Sequence, residues 1–398
     1  VKALVISTLY PNRTQPVHAV FVEQRVRAMA RRFPVVVLCP VPWFPILGRL
    51  PRYAHRARIP RYEVRSGVPV HYPRFLSVPM LLKPLDGFFL FLSCLVAARR
   101  LRSTFPFDRI DAHLAYPDGW GALLLGRVLR LPVAVTLRGH DVNDLPRYPI
   151  RRRQVAATLR RAGVVMAVAE SLRRAAIELG APPERTLTVP NGVDAGRFRA
   201  HDREEARRAL GLDVSGRIVL CVGHLVARKG FQHVVRSLRR ILAVCTDARL
   251  VIVGAKGEEG DFSRQLRRTI DECGVAERVL MPGAVANEDL ALWYSAADVF
   301  CLASEKEGRA NVLLEALACG TPVVATAVWG TPEIVCDESL GILVERTDPE
   351  TLAGALLAAL AREWDRERLV RHASGFSWDA TAASVEKALA GLAEEGGA

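Results

Sequence analysis

Two glutamates and a lysine carry the strongest chemical signal in this chain of 398 residues. They fall in SEKEGRANVLLEALACGTPVVAT, residues 304–326, and in VGHLVARKG, residues 222–230. Glu307 and Glu315 are eight positions apart, which on one unbroken helix would turn them about 80° away from a common face. Gly308 argues against such a helix. The better arrangement leaves Glu307 on a loop after the apolar run VFCLA and starts a helix near Ala310. Glu315 then lies one turn inside, on the face of Asn311. The free backbone N–H groups around Gly308, Asn311, Val312 and Leu313 would lie at a helix N-terminus, where a phosphate is welcome. A carboxylate pair does nothing for phosphate affinity. It fits a ligand that offers hydroxyls to the carboxylates and a diphosphate to the amides. The plainer alternative is a helix-terminal charge and a solvated glutamate. In VGHLVARKG, Arg228 and Lys229 follow a strand-like run, and Gly230 permits a tight turn. Lys229 aimed at a diphosphate would steady the charge that develops as a nucleotide leaves. The alternative for both cations is an ordinary surface position.

The first half offers titratable groups at the ends of apolar runs. His113 closes RIDAHL and Asp118 opens the helical pattern after it, so both could line a cleft. A structural histidine and a helix N-terminal aspartate are the bland readings. Asp141, beside His140 in TLRGHD, is a candidate contact for a sugar hydroxyl. Gly254, Gly257 and Gly260 follow a strand without the spacing of a dinucleotide fingerprint. No DxD motif stands near a strand end and His and Cys do not cluster, so no catalytic metal is expected.

These residues need elements to hold them. Short β-branched runs alternate with amphipathic segments along most of the chain. Strands are expected at KALVIS, VVVLC, RIDAHL, VAVTL, VVMAVA and TLTV, then at IVLCVG, RLVIVG, RVLMPG, VFCLA, PVVAT and GILVE. Helices are expected over 20–32, 120–130 and 150–161, then near 230–243, 261–273, 287–297, 310–319 and 349–361. That alternation means βαβ units and parallel sheets, and the near-continuous apolar strands mean sheets covered on both faces. The length suits two domains. The fold class is therefore α/β, two Rossmann-like doubly wound parallel-sheet domains facing across a cleft, with a break at Pro190–Asp194. Pro40–Pro84, rich in Pro and Arg, reads as a long loop or insertion.

The net charge of +13 is divided unevenly: residues 1–190 carry 30 Lys+Arg against 11 Asp+Glu, the remainder 25 against 31. Opposite signs point to different partners for the two halves. Aromatics at 7% leave little for stacking bases, and no nucleic-acid motif accompanies the basic runs, so nucleic acid is not an expected partner. An anionic membrane surface is, since Phe75–Arg102 is an apolar helix-like stretch that ends in Arg99, Arg100, Leu101 and Arg102, the plainer alternative being a helix packed on the sheet. The longest uncharged apolar run, Gly87–Ala98, is too short to span a bilayer. A general arginine excess would explain the charge equally well, as only six of the 55 cations are lysine. The eight cysteines form no CxxC pair and lie mostly in apolar runs, as buried groups in a reducing compartment would. With no basic leader before VKALVIST, the expected location is cytoplasmic, peripheral on the inner face of the cell membrane.

Taken together, EG…NVLLEALACGTPVVAT with its Glu307-x7-Glu315 pair, the VG…KG loop and VPNGVD at 189–194 resemble retaining glycosyltransferase family 4, which has the GT-B fold. STLYPNRTQPVHAVFVEQ, PVPWFP, DAHLAYPDGWGALL and TLRGHDVNDLPRYP resemble its bacterial polysaccharide-assembly members. The resemblance implies that Glu307 contacts donor-sugar hydroxyls, Glu315 the nucleotide ribose and Lys229 the diphosphate; Glu307 and Lys229, with His113 from its place at a strand end, are the catalytic candidates. His224, Arg228, Gly308, Asn311, Val312 and Leu313 complete the expected donor site. His18, Ala19, Asp118, Arg138, His140 and Asp141 form the expected acceptor side. Three positions depart from the family pattern. His224 stands where an arginine is frequent, Pro16–Ala19 lacks the usual glycine, and Arg138 occupies the place of a family histidine. The implied domains are residues 1–190 for the acceptor and 191–375 for the donor, with 376–398 a helix crossing back to the first. The implied reaction moves a sugar from a nucleoside-diphosphate sugar to a glycan or lipid-linked acceptor in surface polysaccharide synthesis, with no cofactor beyond that co-substrate. A nucleotide-sugar epimerase or a sugar phosphorylase of the same fold, and a non-catalytic nucleotide-sugar or polysaccharide-binding scaffold, are the alternatives.

Overall fold

The structure, a computed structural model, describes residues 1–45, 53–78, 81–257 and 260–392. The chain divides into two compact units. One holds Val1–Asn191 and the segment from Trp378 onward, the other Gly192–Ser377.

The first unit is built on an eight-stranded sheet. Its strands are β1 (Ala3–Ser7), β2 (Val35–Leu38), β4 (Tyr62–Arg65), β5 (Val68–His71), β7 (Arg109–His113), β8 (Val133–Leu137), β9 (Val164–Ala167) and β10 (Thr186–Thr188). Two further strands, β3 (Val41–Trp43) and β6 (Arg74–Leu76), pair with each other. The sheet order is β10-β9-β8-β7-β1-β2-β5-β4, parallel except for β4 against β5. Every residue of β1, β2, β8 and β9 is buried, as strands covered on both faces require. The order reverses at β1, so a crevice opens at the carboxyl ends of β1 and β7. Ser7 aligns there with His113, and His113 with Thr136. The stretch expected as a loop or insertion at Pro40–Pro84 instead supplies β3 to β6 over its described residues. Its residues 46–52 and 79–80 lie outside them.

One helix covers the opposite side from a distance in sequence. Trp378, Ala382, Val385 and Leu389 of the helix Trp378–Ala390 join the core that buries Val22, Val26 and Met29 of the helix Val20–Ala30. Arg32 reaches Glu386 at 2.7 Å and Thr381 donates to the carbonyl of Pro190 at 2.8 Å.

The second unit is a six-stranded parallel sheet: β11 (Ile218–Val222), β12 (Arg249–Val253), β13 (Val279–Gly283), β14 (Val299–Leu302), β15 (Val323–Thr326) and β16 (Gly341–Val344). Its order, β13-β12-β11-β14-β15-β16, reverses between β11 and β14. The loops that leave these two strands are the ones that carry Lys229 and Glu307. Helices Phe231–Leu242 and Pro349–Ala361 pack on one face through Val234, Val235, Leu238, Leu352 and Leu356. Helices Leu290–Ala296, Asn311–Ala318 and Arg366–Ser374 cover the other. Arg207, 3% exposed, locks the base of this sheet. It donates to the carbonyls of Ala296, Val214 and Gly216 at 2.8–2.9 Å and to Asp298 at 2.6 Å, whose carboxylate also takes the N–H of Ile218 at 2.7 Å.

Candidate active site

Two loops of the second unit are drawn together by a glycine. Gly230 has φ +70°, and a Cβ placed on it would lie 1.9 Å from the carbonyl oxygen of Ala303. Only a residue without a side chain lets the loop after β11 approach the end of β14 so closely. The N–H of Glu305 then donates to the carbonyl of Arg228 at 2.9 Å. The outcome is an ion pair: Lys229 Nζ lies 2.6 Å from Glu307 Oε1, with Arg228 4.0 Å from the same oxygen. Burial alone would raise the Glu307 carboxyl, but the Lys229 charge and hydrogen bond, with Arg228 behind them, hold it below the ordinary value. Both groups remain reachable from solvent, at 13% and 11% side-chain exposure.

The helix Asn311–Ala318 begins four residues later. Ala310 precedes it in an extended conformation and makes no side-chain cap. Leu313 is wholly buried and its N–H donates to the carbonyl of Ala310 at 3.1 Å, whereas Asn311 and Val312 are partly exposed. The carbonyl of Gly308 accepts from the N–H of Gly330 at 3.3 Å. Glu315, one turn into the helix, accepts from Tyr294 Oη at 2.9 Å. Burial pushes its carboxyl up to about 7, against the lowering effects of Tyr294, Arg197 and Lys229. His224 has Gly257 packed against it: a Cβ on that glycine would stand 3.0 Å from the His224 Cβ. Gly254 permits the same kind of approach to the Gly223 carbonyl. These glycines bring backbones together.

In the first unit His113, Asp118 and Asp141 are buried, while His18 and His140 reach the surface. His113 is fully buried, and Arg138 donates to its Nδ1 at 3.0 Å. An arginine can only donate, so the ring proton must be on Nε2, which faces Asp111 at 3.3 Å. Burial and the Arg138 charge bring His113 down to about 4, so it stays neutral near pH 7. Thr136 donates to Asp111 at 3.1 Å and receives from Arg25 at 3.1 Å. Arg25, Thr136, Asp111, His113 and Arg138 thus form one chain of hydrogen bonds, continued by Arg138 to Asn191 at 3.0 Å. Arg25, Asp111 and Thr136 carried no signal in the motif reading. Arg25 does share a helix face with Val22 and Met29, and that spacing is the clue to its burial.

Asp141 and Asp118 are also wholly buried. Asp141 takes the N–H groups of Ala115, Arg138 and Gly139 at 2.9–3.2 Å and so braces the loops after β7 and β8 on each other. Asp118 accepts from the N–H and hydroxyl of Thr8, bridging the loops after β1 and β7. His140 is exposed beside Asp144, and His18 is partly exposed. Ala19 has φ +49°, the left-handed conformation that favours the glycine missing from Pro16–Ala19. Among the described residues, no group of three or more His, Cys, Asp or Glu side chains could hold a metal ion, and no helix is long and apolar enough to cross a membrane.

A doubled parallel-sheet chain with facing lysine and glutamate loops at a strand-order reversal has the build of a GT-B enzyme. HepE from Anabaena, solved in complex with UDP-glucose, shares that fold with a TM-score of 0.72 at 20% identity, over 98% of this chain and 100% of the other. Residues 18–192 match the glycosyl transferase 4-like domain, and residues 202–375 the family of glycosyl transferases group 1. A D-inositol 3-phosphate glycosyltransferase of Segniliparus rotundus is 35% identical over 322 residues, 75% of this chain and 71% of that protein. TuaC of Bacillus subtilis, a glycosyltransferase named for teichuronic acid biosynthesis, is 29% identical over 365 residues, 89% of this chain and 88% of that one. Other D-inositol 3-phosphate glycosyltransferases match at 37–39% identity, and there the chain spans about half of the relatives' length. The chain belongs to glycosyltransferase family 4.

Proposed function

We propose that this chain is a retaining, metal-independent glycosyltransferase that moves a hexosyl group from a nucleoside-diphosphate sugar to a hydroxyl of a glycan or lipid-linked acceptor in surface polysaccharide synthesis. The observation that carries the reading is the Lys229–Glu307 pair at 2.6 Å, with Glu315 on the helix behind it. In the reaction Lys229 exchanges Glu307 for the diphosphate, together with the amides around Gly308–Leu313. Glu307, released from the lysine, accepts hydrogen bonds from the sugar hydroxyls. Glu315 accepts from the ribose. The bond from the anomeric carbon to the phosphate oxygen breaks, the bond to the acceptor oxygen forms on the same face, and the departing phosphate oxygen takes the acceptor proton. No protein nucleophile is needed, and the chain contributes positioning and charge stabilisation.

The first unit is the proposed acceptor side, through His18, Ala19, Arg138 and His140. His113, Asp118 and Asp141 act there as positioning residues, because each is buried behind the groups it holds. The HepE complex favours uridine as the base, and the family relatives favour transfer over epimerisation. A cytoplasmic location against an anionic membrane suits a lipid-linked acceptor. The test is a thermal-shift screen with UDP, GDP, ADP and their sugars, followed by product detection with and without lipid-linked and free glycan acceptors. Acceptor-dependent release of the nucleotide with a retained anomeric configuration supports the reading. An epimerised nucleotide sugar as the main product, or binding without transfer to any acceptor, refutes it.

A further inference from the structure

The helix Asp86–Leu101 turns an apolar stripe outward. Gly87, Leu90, Cys94 and Ala98 are buried on its inner side, while Leu85, Phe88, Leu92 and Val96 are 42–54% exposed. Their spacing keeps all four on one helix face. A contiguous exposed apolar row of this kind marks an interaction site, where a single exposed apolar side chain would not. Beyond Val96 the helix ends in exposed Arg99 and Arg100. The neighbouring helix Trp120–Leu129 lies close by, since a Cβ on Gly121 would meet the Leu90 side chain at 2.6 Å. The helix Pro149–Arg161 is tied to the same layer by Gln154, which donates to the Pro84 carbonyl at 2.7 Å. These two helices carry six further arginines and no carboxylate. The one carboxylate of the three helices, Asp86, is paired with Lys83 at 3.1 Å.

We infer that this face docks on an anionic lipid surface, with the Phe88–Val96 stripe in the boundary between headgroups and acyl chains and the guanidinium groups of Arg99 and Arg100 on the headgroups. The inference deepens the membrane-side reading of the preceding section and rests on it for its purpose, though not for the binding itself. Charge selects the occupant. A second copy of this chain, related by a two-fold axis, would set arginine against arginine with no carboxylate to answer it. A nucleic acid would satisfy the arginines and leave the apolar stripe in water.

The test is co-sedimentation of the full chain with vesicles of mixed phosphatidylglycerol and phosphatidylcholine, against phosphatidylcholine alone, at low and high salt. The expected result is binding at least about tenfold tighter to the anionic vesicles, weakening as salt rises. The double variant Phe88→Ser/Leu92→Ser should lower partitioning at least about tenfold. Arg99→Ala/Arg100→Ala should lower it about fivefold for each charge removed. Unchanged UDP-glucose affinity and melting temperature in both variants would show that they remain folded. The inference is overturned if the wild type ignores anionic vesicles at low salt, or if both variants bind as it does. It is overturned equally if the variants convert a dimer to a monomer in analytical ultracentrifugation, since a second copy then covers the face. A chain that transfers sugar without binding vesicles sinks this inference alone, and one that binds vesicles without taking any nucleotide sugar sinks the functional reading alone.

Discussion

Glu315 makes donor binding readable by pH. Its carboxyl, raised by burial and bonded to Tyr294, titrates near 7 against 4.5 for an ordinary glutamate. Between those values the folded chain holds a proton that the unfolded chain has released. Its contribution to stability is therefore fully present below about pH 4.5 and lost as pH rises through 7. Ribose hydroxyls donating to this carboxylate would favour its charged form, so donor binding must expel the proton. Each unit by which binding lowers the pKa strengthens affinity tenfold at high pH relative to low pH, and a full return to the ordinary value caps the gain at about 300-fold. The assay is titration calorimetry with UDP-glucose from about pH 5 to about pH 8, in buffers of different ionisation heat. UDP-glucose is the right probe because its diphosphate does not titrate in that window, unlike the terminal phosphate of UDP. At pH 7 about half a proton should leave per donor bound, and Glu315→Gln should flatten the profile. Affinity independent of pH, without proton release in the folded wild type, would refute the role assigned to Glu315.

Three further predictions concern the supports of the site. Tyr294→Phe removes the 2.9 Å hydrogen bond to Glu315, so the pH midpoint of donor binding should rise by about one unit; an unchanged or lower midpoint in calorimetry would count against the geometry. Gly230→Ala forces a methyl group against the Ala303 carbonyl at a positive φ, and should destabilise the second unit by about 2–4 kcal/mol while weakening donor binding; unaltered urea unfolding would show that the two loops are not clamped there. Arg207→Met removes the 2.6 Å partner of Asp298, which keeps Arg203 at 3.0 Å, and the donor to three carbonyls, and should cost about 2–3 kcal/mol, seen as a lower urea midpoint at unchanged slope; a midpoint equal to the wild type would contradict the lock described for this residue.

The regular elements were legible wherever a strand is covered on both faces. IVLCVG could be read as β11 because all five of its strand residues are buried, and VVMAVA as β9 for the same reason. The donor loops were equally open to reading, since a glycine inside Glu307-x7-Glu315 already demands a loop followed by a helix start. Pro40–Pro84 was opaque for a physical reason. Its strands are three or four residues long and exist by pairing at a distance, β5 on β2 and β3 on β6, which local periodicity does not encode. Arg25 and Arg207 were missed because an arginine in a helix reads as a solvent residue until its partners are known. Those partners, Thr136 for one and Asp298 for the other, are 111 and 91 positions away. Asp141 and His113 show the reverse case. Their chemistry suits a ligand, and the structure adds partners that no motif announces, Arg138 for His113 and backbone amides for Asp141.

The central claim is that Lys229, Glu307 and Glu315 hold a nucleoside-diphosphate sugar, and a crystal structure of the chain with UDP-glucose tests it most directly. The expected density places diphosphate oxygens on Lys229 Nζ and on the amides around Gly308–Leu313, the ribose on Glu315 and the sugar hydroxyls on Glu307. The Lys229–Glu307 contact of 2.6 Å should lengthen as the lysine turns to the phosphate. A nucleotide bound elsewhere, or one that touches neither Lys229 nor Glu315, would contradict the claim.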